Sequence, residues 1–268
     1  MISVPFTAAG KKVIIPANTH LDFIKGSFFL SFSPVEIKGE EKNKVIIESS
    51  DGTGMGFTII DAYEKSNISY TTFDGLTTLS YNGWNLTGAV TFYESDVSIE
   101  NTEFLNNNCE DALNVIRSEF ELNNSLIANT LSDGFDADFS KGKVMNSGFK
   151  NIGNDGIDYS GSYISIENVK INGAGDKGIS GGESSDLQLK NIEISNANIG
   201  VASKDKSNVS IENIKLNNCN CGFAAYQKKM EYGPGKMTII SCEMKNVKET
   251  YIIGLESEIN LDGDYTKG

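Results

Sequence analysis

One phrase returns along this chain at a nearly constant interval. VSIENTEF (Val97–Phe104) recurs as FELNNSLI (Phe120–Ile127), VMNSGF (Val144–Phe149), ISIENVKI (Ile164–Ile171), LQLKNIEI (Leu187–Ile194) and VSIENIKL (Val209–Leu216). Its asparagines, Asn101, Asn124, Asn146, Asn168, Asn191 and Asn213, follow one another at 22 or 23 residues, and MTIISCEM carries Ser241 in the same place after a longer insertion. A second segment lies between the copies, as DALNVI, DGFDADF, DGIDYSG, KGISGGE, IGVASKD and CGFAAYQ. A fixed interval of this size restricts the fold to a stack of like units, each burying its apolar side against the next.

Each unit holds two or three short stretches of period-2 alternation separated by Asn and Gly turns, and none shows a 3.6-residue period. Strand-only units with asparagine at one fixed corner predict an all-β solenoid, a parallel β-helix of about 22-residue coils. Asparagine tolerates the left-handed conformation, and its amide can bond the asparagines above and below. A leucine-rich repeat would need a helical segment and its own leucine frame, both missing. The reading is one β-helix domain over residues 1–268, with a cap and irregular first coils over 1–48 and regular Asn-turn coils with a last coil over 97–255. YIIGLESEINLDGDYTKG is expected as a last coil and a frayed tail.

The repeat resembles right-handed parallel β-helix proteins of the pectate-lyase-like superfamily, clearly from Val97 to Met244. The resemblance supplies the handedness. It implies bacterial surface or envelope proteins that act on polysaccharides, some of them modules of longer chains.

The register makes a prediction about charge. Leu113, Phe135, Ile157, Ile179, Val201 and Phe223 form one inward column, so their neighbours point outward. Two near-copies of one acidic phrase, SDGFDADF and NDGIDYSG, then bring Asp133, Asp136, Asp138, Asp155 and Asp158 to one outer patch. Two carboxylates about 5 Å apart repel by roughly 3–4 kcal/mol at an effective dielectric near 20. Such a patch needs a cation, neighbouring basic groups or raised carboxylate pKa values. A Ca²⁺ cage of these five aspartates is one expectation; solvated turn acids offset by Lys177 and Arg117 are the other.

Lyases of the resembled superfamily bind Ca²⁺ through aspartates on adjacent coils and use a lysine or arginine as base. Carried onto this chain, that implies Lys177 as base with Lys204 as second choice, Arg117 on a substrate carboxylate, and β-elimination on a uronate polymer. Glu110, Asn114, Glu183, Asp205, Tyr226, Lys228 and Lys229 are candidates for binding the glycan. Two alternatives stand: a non-catalytic structural or glycan-binding module, and a glycoside hydrolase using paired aspartates.

Net charge is −13, with 36 acidic against 23 basic residues and one arginine, which argues against nucleic acid as a partner. No apolar run is long enough to span a membrane, and the first residues do not read as a signal peptide. A secreted or envelope location, as a monomer or as a module of a longer chain, follows from the habitat of the fold alone. Cys109, Cys219, Cys221 and Cys242 have no zinc spacing and are expected as packed free thiols.

Overall fold

Alternation of apolar and polar residues in short runs puts one side of every strand indoors. A computed structural model describes all residues 1–268. It contains strands and no helix, and one 27-stranded sheet winds through about 11 turns.

Each turn has three faces. The first stacks Phe6–Ala8, Phe29–Ser31, Phe57–Ile60, Gly88–Tyr93, Asp111–Ile116, Asp133–Asp138 and Ile157–Ser160 in parallel, each hydrogen-bonded to the next. The second runs through Val97–Glu100, Glu119–Asn123 and Lys141–Met145, the third through Glu103–Leu105, Leu126–Thr130 and Gly148–Ile152. Beyond these, Tyr163–Gly182 and Asp186–Lys204 round the corners without a break and contribute to all three faces.

The expected interior column is present. Leu113, Phe135, Ile157, Ile179, Val201 and Phe223 are successive register partners and all are buried. Aromatic rings continue the core toward the N-terminus, with Phe29 and Phe57 stacked at 4.2 Å. Four thiols, at Cys109, Cys219, Cys221 and Cys242, are free.

The corner asparagines behave as their chemistry requires. Asn101, Asn124, Asn146, Asn168, Asn191, Asn213 and Ser241 all have positive φ, between 47° and 65°. Amide bonds link Asn168 to Asn146 at 3.1 Å, Asn191 to Asn168 at 3.1 Å and Asn213 to Asn191 at 2.9 Å. A second ladder sits inside another corner. There the hydroxyl of each serine accepts the backbone N–H of its counterpart one turn earlier, from Ser118 on Ser95 to Ser207 on Ser185.

Residues 1–48 build the first turns in the same register, Phe6 against Phe29 and Val13 against Val35. Apolar side chains, among them Ile2, Phe6 and Ile14, line a hollow at this end. The tail is not frayed: Asp264–Lys267 folds back antiparallel on Glu258–Leu261 and covers the last edge.

Two segments depart from the repeat. Residues 75–87 carry a hairpin, Ser80–Tyr81 against Trp84–Asn85, which packs over the outer side of the first face on Phe28, Leu30 and Ile60. Residues 227–235 lie between Cys221–Tyr226 and Lys236–Lys245 and fold back along the edge of the first face.

Candidate functional site

The first face holds the acids, and parallel pairing fixes their rows. Asn114, Asp136, Asp158 and Ser180 are successive register partners on the outer side. Ile116, Asp138, Ser160 and Gly182 form the next outer row. Asp111 pairs with Asp133 at the strand start. Neighbouring rungs of such a sheet are about 4.8 Å apart, so Asp136 and Asp158 stand side by side, as their spacing predicts.

The glycines of the two acidic phrases are dictated by close approach. A Cβ on Gly134 would meet the Gly156 carbonyl oxygen at 2.5 Å, and one on Gly156 the Gly178 oxygen at 2.6 Å. The aspartate before each glycine caps the backbone of the next coil. Asp133 accepts the Asp155 N–H at 2.8 Å and the Asn154 amide at 2.7 Å, and Asp155 accepts the Lys177 N–H at 2.9 Å. Both carboxylates are buried, so this pair of acids holds coils together, while Asp136, Asp138 and Asp158 are half-buried and face outward.

Both lysines point into the acids. Lys177 Nζ lies 3.4 Å from Asp155 and closer to Asp176, and Lys204 Nζ lies 3.4 Å from Asp158. Lys204 reaches Asp158 by crossing Gly182, which has no side chain to block it.

This crowding raises several carboxyl pKa values. Burial, then the charges of Asp111, Asp138, Asp158 and Asp133, pushes Asp136 well above the usual carboxylate range. Burial, against a Thr87 hydrogen bond and with the charges of Asp133, Glu110 and Asp138, takes Asp111 up to about 7. Burial and the Asp158 charge, opposed by Lys177, take Asp155 up to about 6. Asp133 and Asp138 are raised, chiefly by burial. For Lys177 burial works downward, but the Asp176 hydrogen bond and the Asp155 charge win and hold the ammonium well above its ordinary value.

Several of the expected site residues already have partners within the protein. No three of the acidic, histidine or cysteine side chains are grouped as a metal-ligand set. Asp133 and Asp155 are occupied by backbone N–H groups, and Asp155 and Asp158 by lysines. The five aspartates therefore do not fit a resident Ca²⁺ as one cage. Lys177 is held as an ammonium between Asp155 and Asp176. Arg117 turns away from the acids: its Nη1 donates to the Tyr93 hydroxyl at 3.0 Å and lies 3.4 Å from Glu94.

The expected binding residues divide. Glu183 pairs with Lys229, and Asp205 is buried and accepts the N–H groups of Lys228 and Lys229 at 2.6 Å each, so these four fix the 227–235 segment as a wall. Asn114 is covered and donates to Asp111 at 3.3 Å. The Glu110 carbonyl accepts the Asp133 N–H at 2.6 Å. Tyr226 is half-buried, with Lys177, Asp176, Asp155 and Asp158 acting on its hydroxyl. Asp111 and Ser180 were readable by register as members of these rows, but nothing in the sequence marks Asp111 as buried or Ser180 as unpartnered.

A comparison with curated protein sequences finds no match. The A-module of Azotobacter vinelandii mannuronan C-5 epimerase AlgE4 is similar with a TM-score of 0.54 at 12% identity, over 95% of this chain and 88% of that one. The periplasmic alginate epimerase AlgG gives 0.51 at 13% identity, over 96% and 74%. The chain spans 64% of the catalytic domain of a GH87 α-1,3-glucanase, which matches 93% of it at 14% identity and a TM-score of 0.45. A family model described as a right-handed β-helix region matches residues 112–263, more than half of the chain. The chain belongs to the right-handed β-helix family.

Proposed function

We propose that the outer acids of the first face hydrolyse a glycosidic bond in a neutral glycan, with Asp136 as acid and Asp158 as base. One observation carries this: of two outward carboxyls on adjacent coils, one is crowded by acids and the other also has a lysine partner. Asp136 is pressed toward its protonated form by burial and by four nearby acids, while Asp158 faces the Lys204 ammonium at 3.4 Å. One carboxyl that holds its proton, with a second carboxyl beside it, is what acid–base cleavage of a sugar acetal requires. Asp136 gives its proton to the glycosidic oxygen as the bond from that oxygen to the anomeric carbon breaks, the electron pair leaving with the oxygen. Asp158 takes a proton from the water that adds to the anomeric carbon.

The two β-helix proteins above with TM-scores over 0.5 are named as an alginate epimerase and a mannuronan C-5 epimerase, the first of them periplasmic, which supports a carbohydrate as ligand and a site outside the cytoplasm. The acidic pocket and the engaged lysines favour a neutral sugar and hydrolysis over elimination on a uronate. Lysine-based β-elimination would need an ammonium free to lose its proton, and Lys177 is bound on two carboxylates.

The test is reducing-end release from a panel of neutral polysaccharides. Asp136→Asn and Asp158→Asn should each lower the rate by about 10²-fold or more, the scale expected of a positioned acid or base, with Tm retained. Wild-type activity in both variants would end this reading. A structural module is the second reading, favoured by the capping roles of Asp133 and Asp155; it predicts no turnover of any glycan.

A further inference from the structure

Between Leu30 and Ala224, the outer row that contains the proposed acid and base is open at only two positions. Before them, Thr58, Thr91 and Asn114 point outward from the first face yet are buried, Asn114 to 2%. The hairpin of residues 75–87 covers them. Leu79 and Leu86 pack there with Trp84, whose ring meets Tyr93 at 5.5 Å, and the Asp111 N–H donates to the Thr87 carbonyl at 3.2 Å. After them, Ser180, Ala202 and Ala224 are buried again, Ser180 to 0%. There the Lys204 side chain crosses to Asp158, and the 227–235 segment returns along the edge to the Lys229–Glu183 pair. Within this row Asp136 and Asp158 are thus the floor of a short opening, covered toward both ends of the solenoid.

Both ends of the opening carry a buried polar atom without a partner. Asn114 Oδ1 lies next to Asp136 in the row and Ser180 Oγ next to Asp158. An unpartnered buried polar group is costly unless a ligand or water meets it. One accepts and the other can donate as well, a pattern that suits sugar hydroxyls at either edge of a bound ring. Two rungs about 4.8 Å apart give a floor of about 10 Å, room for one or two sugar rings.

We propose that this pocket takes the end of a glycan chain, engaging its terminal one or two sugars, and that it does not accept an internal stretch of polymer. The inference rests on the hydrolase reading above, since it assigns that site its substrate form. A chain passing through would have to run over the Trp84 hairpin at one end or over Lys204 and the Lys229 wall at the other.

The experiment is calorimetric titration of Asp136→Asn with cello-, laminari- and malto-oligosaccharides of one to six residues. Asp158→Asn serves as a second inactive protein if the first is not folded. For the series that binds, affinity should rise up to the disaccharide and stay within about twofold from there to the hexasaccharide. A gain of tenfold or more between disaccharide and hexasaccharide would overturn the chain-end proposal while leaving a glycan site standing. Binding of none of the three series would overturn the neutral-glycan reading and the chain-end proposal together.

Discussion

Replacing Asp111 with asparagine should stabilise the protein, and by an amount that depends on pH. Asp111 is 1% exposed, with Oδ1 unpartnered, and the carboxyls of Glu110, Asp133, Asp136 and Asp138 act around it. Its pKa of about 7, raised first by burial, stands against 3.8 in an ordinary setting. The folded state therefore holds this proton more tightly than the unfolded chain, and stability falls as pH rises between about 4 and about 7. At about 1.36 kcal/mol per pKa unit, ionisable Asp111 costs about 4 kcal/mol at pH 8, about 2 at pH 5 and under about 1 at pH 4. The replacement amide has no charge and brings an N–H that can meet the orphan Asn114 Oδ1. Thermal unfolding of wild type and Asp111→Asn at pH 8, 5 and 4 reads the difference. A gain on the order of 10 °C in Tm at pH 8 is expected for a chain of this size, shrinking to little at pH 4. A variant less stable than wild type at pH 8, or a gain equal at all three pH values, would refute the reasoning.

Other consequences follow from the same contacts. Lys177→Met leaves Asp155 buried with its ammonium partner gone and should cost about 3 kcal/mol near neutral pH by denaturant melts; the loss should diminish below about pH 6, where Asp155 takes up a proton. Asn168→Ala keeps a β-carbon at φ 56° but removes the amide that suits asparagine to that conformation, and breaks the ladder on both sides; it should cost about 1–2 kcal/mol, and Asn168→Gly less. Ser140→Ala removes the buried acceptor of the Ser118 N–H and should cost about 1–3 kcal/mol, read by the same melts. Because Asp133 and Asp155 are engaged by backbone N–H groups and Asp158 by Lys204, a chelator should leave both Tm and the proposed glycan hydrolysis unchanged.

The residues that were legible in advance are those whose chemistry repeats with the coil. Asparagine at one corner answers a backbone demand made on every turn, so Asn101 to Asn213 revealed the period and the inward column. The register then placed Asp136 beside Asp158 without any coordinates. The serine ladder, from Ser95 to Ser207, recurs just as regularly, yet a short polar residue at a turn reads as solvated. Only the closed corner shows that its hydroxyl faces inward and serves a neighbouring N–H. Side-chain direction was the second loss. Lys177 and Arg117 both lie near the acids in register, but rotamers send one onto Asp155 and the other toward Glu94. The third was coverage: the hairpin around Trp84 and the 227–235 segment lie outside the repeat, so period-2 alternation marked Thr91 and Ala202 as outward without saying that they are covered. The Asp-Gly phrases misled for a related reason. A carboxylate before a glycine that lies against the next coil can cap that coil's N–H, and this is where Asp133 and Asp155 are engaged.

The most direct measurement follows two signals at once while the protein acts on a panel of neutral and uronate polysaccharides: reducing ends, and the ultraviolet absorbance of an unsaturated uronate. Reducing ends appearing from a neutral glycan, with no absorbance and no response to chelator, are the predicted result. Absorbance rising on a uronate polymer in a calcium-dependent way, and abolished in Lys177→Ala, would contradict the roles given to Asp136 and Asp158.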